Sequence, residues 1–154
     1  MRTYVIQTLM GVIGSVGFAV LFGVFDRKLS WIAVGSGLGW AVYLLCVANG
    51  YGMFIGLFAA SLFVASLSEL SARILKTPVI LMLVPMLIPE IPGGDLYYTM
   101  SYLVQRQYAG FGNASDQVLL EAGAIALGII LASYLAKFLR NLRIYVLRHT
   151  LWWS

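Results

Sequence analysis

Two carboxylates in this chain sit where a carboxylate is expensive. Glu90 and Asp95 flank the tripeptide Pro92-Gly93-Gly94 inside an otherwise apolar stretch, LVPMLIPEIPGGDLYYTM, from Leu83 to Met100. An ionisable residue within a membrane-spanning segment is by default a functional candidate. Here it comes with the signs of a broken helix. Prolines inside a helix remove backbone hydrogen bonds and kink it. Pro85, Pro89 and Pro92 all fall in this stretch. The apolar run Val79–Ile91 is shorter than the about 20 residues that a crossing needs. A second helical piece starts at Asp95 and reaches about Val104, and the two pieces together suffice for one span. Broken backbone at membrane depth persists only against protein or a water-filled cavity.

Such a break has its own chemistry. The N-terminus of the second half-helix presents free N–H groups and a partial charge of about +0.5. The carbonyl end of the first half presents the opposite sign. A zwitterion can use both poles. The predicted binding residues are Pro89, Glu90, Pro92, Gly93, Gly94, Asp95, Tyr97, Tyr98 and Thr99, with the last three offering hydroxyls to a substrate hydroxyl. Glu90 and Asp95 are candidates for proton coupling or ammonium contact. Asp95 alternatively only caps the second half-helix, and the whole stretch is alternatively a Pro-kinked helix that binds nothing.

A second charged pair, Glu69 and Arg73, is four residues apart and shares a helix face. It reads either as an ion pair at the membrane boundary near Lys76 or as a charged gate or coupling site. No Ser/His/Asp set, metal-ligating cluster or nucleotide loop occurs, so neither an enzyme, a cofactor nor a bound metal is expected. The single Cys46 excludes an intrachain disulfide. The single His149 has no soft ligand nearby and reads as a surface residue.

The elements that must position these residues are membrane spans. Of 154 residues, 61% are apolar and 10% charged, with mean hydropathy +0.90. Soluble domains are about 25% charged. The expected fold is therefore an all-α integral membrane protein, one polytopic domain over residues 1–154. Spans are expected over about 4–25, 29–48, 53–75, 79–104 (broken) and 117–139. Tyr108–Asp116 is expected as a polar loop, and Glu121 as a carboxylate in the first turns of the fifth span. Gly11, Gly14 and Gly17, and likewise Gly35 and Gly39, form small-residue faces for close helix packing. Ser61, Ser66, Ser68 and Ser71 can return hydrogen bonds to their own helix. Residues 140–154, with Arg140, Arg143, Arg148, Trp152 and Trp153, read as a basic tail lying at an anionic membrane surface.

Five spans place Arg27, Lys28, Arg73, Lys76, Lys137, Arg140, Arg143 and Arg148 on one side and only Arg2 and Arg106 on the other. The positive-inside rule then puts the N-terminus outside and the C-terminus in the cytoplasm. Net charge is +4, but its clustering at span ends speaks for orientation in a lipid bilayer and against a nucleic-acid partner.

Pro85-x-x-x-Pro89-x-x-Pro92-Gly93-Gly94-x-Leu96-Tyr97-Tyr98-Thr99-Met100 resembles the signature of the threonine/serine exporter (ThrE-like) family. More narrowly it looks like the small membrane subunit of the family's split, two-component type. Gly39-Trp40-x-x-Tyr43-Leu44 resembles the second-helix motif. Ser68-Glu69-x-x-Ala72-Arg73-x-x-Lys76-Thr77-Pro78 resembles the third helix and the loop that follows. The likeness covers about Gly14 to Met100, and the C-terminal helix matches in hydropathy alone. The resemblance implies a secondary exporter of small amino acids, threonine or serine, in a bacterial plasma membrane, driven by the proton gradient. It also implies a larger partner subunit from the same family. An odd span count makes the two halves inverted repeats, with the site between them. The family motif is loose at Glu90 and Asp95. One alternative is an exporter subunit for a small dicarboxylate such as succinate, for which Arg73 and Arg106 are the only nearby basic groups. The other is a non-transporting membrane scaffold.

Overall fold

The computed structural model describes residues 2–150, with side chains over 4–141. Its elements are helical: α1 (Arg2–Leu21), α2 (Arg27–Ala48), α3 (Gly52–Ile74), α4 (Val79–Leu87), a 3-10 turn (Ile88–Glu90), α5 (Gly93–Val104) and α6 (Tyr108–Thr150). Four of the helices are long and apolar enough to cross a membrane alone, and the α4–α5 pair makes a fifth candidate, bent by 65° at the break.

Side-chain register decides how that pair counts. Gln117 of α6 meets Met53 of α3, Gly128 meets Ser61, and Arg73 reaches the Ala136 carbonyl. The two helices therefore run parallel and side by side. The chain leaves α3 at one face of the bundle and must enter α6 at the other, so α4, the 3-10 turn and α5 together make one crossing. An all-α bundle of five crossings follows.

Helix ends are set locally. α1 stops at Leu21, short of the expected Phe25, because Gly23 adopts φ +71. Its N–H reaches Val20 O while Val24 N reaches Ala19 O, a glycine-closed C-terminus. α3 and α5 close the same way, but with Lys76 (φ +49) and Arg106 (φ +58) in the left-handed position. The helical stretch 108–116 corrects the expected loop. Gly110, read as a turn signal, is where the Tyr102 ring of α5 packs, 3.0 Å from where a Cβ would stand. This contact folds α5 back along α6 and keeps the first turns of α6 helical. Glu121 consequently sits in the fourth turn of its helix, beyond the reach of the helix-end dipole.

The serines of α3 behave as the sequence predicts. Ser61, Ser66, Ser68 and Ser71 donate to the carbonyls of Phe58, Leu62, Ala65 and Ser68. The buried core gathers Ala19, Val24, Ile32, Val64, Ala72, Met82, Met86 and Leu87, where α1 to α4 meet at the end of the bundle that carries Arg27 and Lys76. At the opposite end packing is thinner: of α5, only Thr99 is buried. The side chains of Arg143, Arg148 and His149, and residues 151–154, lie outside the described residues, so the basic tail is seen only at Arg140.

Candidate functional site

The break is built from proline geometry. Ile91 is extended (φ −68, ψ 125), as steric conflict with the ring of a following proline demands. Pro92 then starts α5, with no side-chain cap. The Gly93 amide turns back to Ile91 O at 2.7 Å, and Leu96 N is the next to bond, to Pro92 O. The amides of Gly94 and Asp95 thus remain without a backbone partner, as the first turn of a helix requires. Asp95 lies inside that first turn and Pro92 holds the cap position, so Asp95 is not the N-cap.

Close packing fixes where the break sits. Pro89 rests on Gly11 of α1, within 3.1 Å of where a Cβ would stand, and Met86 occupies the space beside Gly35. At Gly39 an added Cβ would collide with Val64 Cγ2 and lie 2.9 Å from Glu90 Oε1. The small residues of α1 and α2 therefore admit this chain's own broken helix. Gly39 in particular makes room for the Glu90 carboxyl.

Glu90 is 2% exposed, and neither of its oxygens has a hydrogen-bond partner. It lines a cavity of about 120 Å³. Trp40 and Tyr43 of α2 and Met53 and Leu57 of α3 form two walls. Pro89, Ile91 and Pro92 form the third, and Asp95 of α5 and Glu121 of α6 complete it. Asp95 and Glu121 lie within interaction range of each other and of Tyr43. Two further crevices share lining residues with this cavity. Glu121 and Met53 also border a crevice of about 460 Å³ between α3 and α6. Asp95 borders one of about 320 Å³ between α5 and α6.

Three carboxylates line the cavity, and no Lys, Arg or His does. Among the described residues, five buried side-chain polar atoms lack a partner. Four belong to this cavity: Trp40 Nε1, both Glu90 oxygens and Glu121 Oε2. Leaving a buried polar group unpaired costs about 1–3 kcal/mol, and native proteins do so rarely without a reason in function. Here one orphaned donor and several orphaned acceptors face a shared space. No three His, Cys, Asp or Glu among the described residues are spaced to hold a metal ion.

The other candidate residues divide. Gly93 and Gly94 open onto free space, with nothing within 4 Å of an added Cβ. Tyr98 lines the α5–α6 crevice. Tyr97 is 69% exposed, lines none of these spaces, and stacks edge-on with Tyr98. Thr99 is buried and donates its hydroxyl to Asp95 O at 2.7 Å. Glu69 and Arg73 pair at 3.3 Å in a separate crevice between α3 and α6. Glu69 is twelve residues past Leu57 on α3, so about 18 Å along the axis from the cavity. Sequence reasoning missed Glu121, Trp40 and Tyr43 as site residues. An ionisable group inside a span was the available signal for Glu121. Trp40 and Tyr43 stood in the second-helix motif.

No solved structure matches this chain. A family model described as "Threonine/Serine exporter, ThrE" matches residues 7–135. That match runs on past Met100 through most of α6, so it takes in Glu121 together with every other residue of the cavity. The chain belongs to the threonine/serine exporter family, a family of amino-acid transport proteins of the membrane.

Proposed function

We propose that this chain is the membrane subunit of a secondary exporter of small amino acids, threonine or serine, and that the cavity at the helix break is its binding site. One observation carries the reading: the unpaired groups of the cavity are complementary to a zwitterion. Asp95 and Glu121 supply an anionic pole for an ammonium group, with the Glu90 carboxyl buried in the same cavity. Trp40 Nε1 and the free amide of Asp95 supply donors for a carboxylate. A dicarboxylate such as succinate would instead place two negative charges among three carboxylates with no basic residue lining the space, which like-charge repulsion forbids. The chemistry is binding and release, not catalysis.

The exposed side of α5 and the open space at Gly93 and Gly94 support a second proposal, a larger partner subunit of the same family that completes the site. With five crossings, a homologous half joined to this one sits inverted, as in many secondary transporters. The chain acts as a single membrane domain. Its basic end, with Arg27, Lys28, Arg73, Lys76, Lys137 and Arg140, faces the cytoplasm of a bacterial cell. Glu69 and Arg73 lie at that end, where a gate would sit.

Export of labelled threonine, serine and succinate from cells producing this chain with and without the larger subunit tests the reading. Threonine or serine export that requires both chains is expected. Succinate as the preferred label would overturn the substrate assignment, and export by this chain alone would overturn the partner.

A further inference from the structure

The three carboxylates of the cavity are not equivalent. Asp95 and Glu121 each also border one of the two crevices. Glu90 borders the small cavity and neither crevice. What packs against Glu90 offers its charge no compensation. Its 3-10 turn rests on α1 through Pro89 at Gly11 and Ile88 at Gly14, and from α2 Gly39 lies against the Glu90 carboxyl, with Trp40 and Tyr43 lining the same cavity. From α3 Val64 packs at the same Gly39 and Leu57 lines the cavity, as do Asp95 of α5 and Glu121 of α6. The titratable groups in that shell are Tyr43, Asp95 and Glu121, and none is a cation. A carboxylate buried to this degree without a donor cannot stay ionised alone. It must hold a proton or be matched by a positive charge inside the cavity.

Resting on the reading of the cavity as an amino-acid site, we propose that Glu90 is the carboxyl on which a proton is exchanged for the substrate ammonium. With the site empty of substrate, Glu90 carries the proton on one oxygen. When an amino acid seats its ammonium against Asp95 and Glu121, that positive charge favours ionised Glu90, and the proton departs to water through the cavity. At the anionic pole the ammonium charge replaces that of the departed proton, while the substrate carboxylate, which arrives with it, is met by Trp40 Nε1 and the Asp95 amide. When the amino acid leaves, Glu90 takes a proton back. Proton and substrate are then mutually exclusive at one site, the condition for exchanging one against the other across a membrane.

The test is calorimetric. The full chain, co-produced with its larger partner and held in lipid nanodiscs, is titrated with L-threonine in two buffers of different ionisation enthalpy. The wild type is expected to release about one proton per threonine bound in the range where Glu90 is protonated. In that range its affinity should weaken about tenfold for each pH unit of acidification, the signature of one competing proton. In Glu90→Gln, threonine should still bind through Asp95 and Glu121, with affinity flat across the same pH range and with one proton fewer released. Labelled-for-unlabelled threonine exchange should survive in that variant, while threonine movement driven by a pH gradient is lost. Binding by the wild type without proton release, or a Glu90→Gln variant with an unchanged pH profile, would overturn this assignment and leave the amino-acid site standing. Absence of threonine binding by the wild-type complex would overturn both.

Discussion

At the scale of single residues, glycines separate packing from function. Gly39→Ala would drive its methyl into Val64 and the Glu90 carboxyl. Overpacking of that kind costs about 1–3 kcal/mol, so a lower melting temperature in detergent is expected together with loss of transport. Gly93→Ala and Gly94→Ala meet nothing within this chain and add helix propensity at the start of α5, worth up to about 1 kcal/mol each. Those variants should fold at least as well as wild type. Lost transport with intact stability would place a substrate or a partner against the break; unchanged transport would make the two glycines dispensable. Glu90→Met tests the burial of an unpaired carboxyl: replacing it with an apolar side chain of similar length should leave the melting temperature unchanged or higher, while transport driven by a pH gradient disappears. A large drop in stability would mean that Glu90 is held by partners in the bundle. Glu90, Asp95 and the break were legible in the sequence because proline, glycine and charge inside an apolar run are each costly. Their division of labour was not. It depends on which carboxylate reaches the crevices, and that is fixed by Gly39 and by the register of α6.

At the scale of elements, the broken span depends on Pro92 and on the extended Ile91 before it. Pro92→Ala removes the clash that holds Ile91 out of the helical region. The 3-10 turn should then merge into α5, the 65° bend should relax, and Asp95 should rotate away from Glu121. Transport should fall while membrane insertion is retained, read by export and by the amount of protein in the membrane. A fully active variant would mean that the bend is incidental. The ion pair Glu69–Arg73 has little hold on the fold, since exposed pairs four apart contribute about 0.3–0.5 kcal/mol. Glu69→Gln should not shift the melting temperature measurably, so any transport defect it causes belongs to gating. The start of α6 shows why boundaries were harder to read than elements. Gly110, Gly112 and Asn113 carry the composition of a turn, yet helix is kept there by Tyr102, a contact from another element that local composition cannot report. Placing Glu121 beside Asp95 needed the same information, because it depends on α6 running parallel to α3.

At the scale of the whole molecule, packing is uneven. The end bearing Arg27, Arg73 and Lys76 holds the apolar core, while the end bearing Arg106 holds the cavity, its crevices and the exposed α5. If the α4–α5 pair is one crossing, Lys76 and Arg106 fall on opposite sides of the membrane. In a Cys46→Ala background, Lys76→Cys should react with an impermeant thiol reagent from the cytoplasmic side and Arg106→Cys from the outside. The reverse pattern would invert the orientation, and labelling of both from one side would make the α4–α5 pair a re-entrant loop. The central claim concerns charge, that the anionic pole of the cavity recognises an ammonium group. The most direct measurement is competition against labelled threonine export by unlabelled threonine, 3-hydroxybutyrate and threoninol, applied to cells producing both subunits. 3-Hydroxybutyrate keeps the hydroxyl and carboxylate but lacks the ammonium; threoninol keeps the ammonium but lacks the carboxylate. Threonine should compete fully, threoninol weakly but measurably, and 3-hydroxybutyrate not at all. Competition by 3-hydroxybutyrate as strong as that by threonine would contradict the assignment of Asp95 and Glu121 to the ammonium pole.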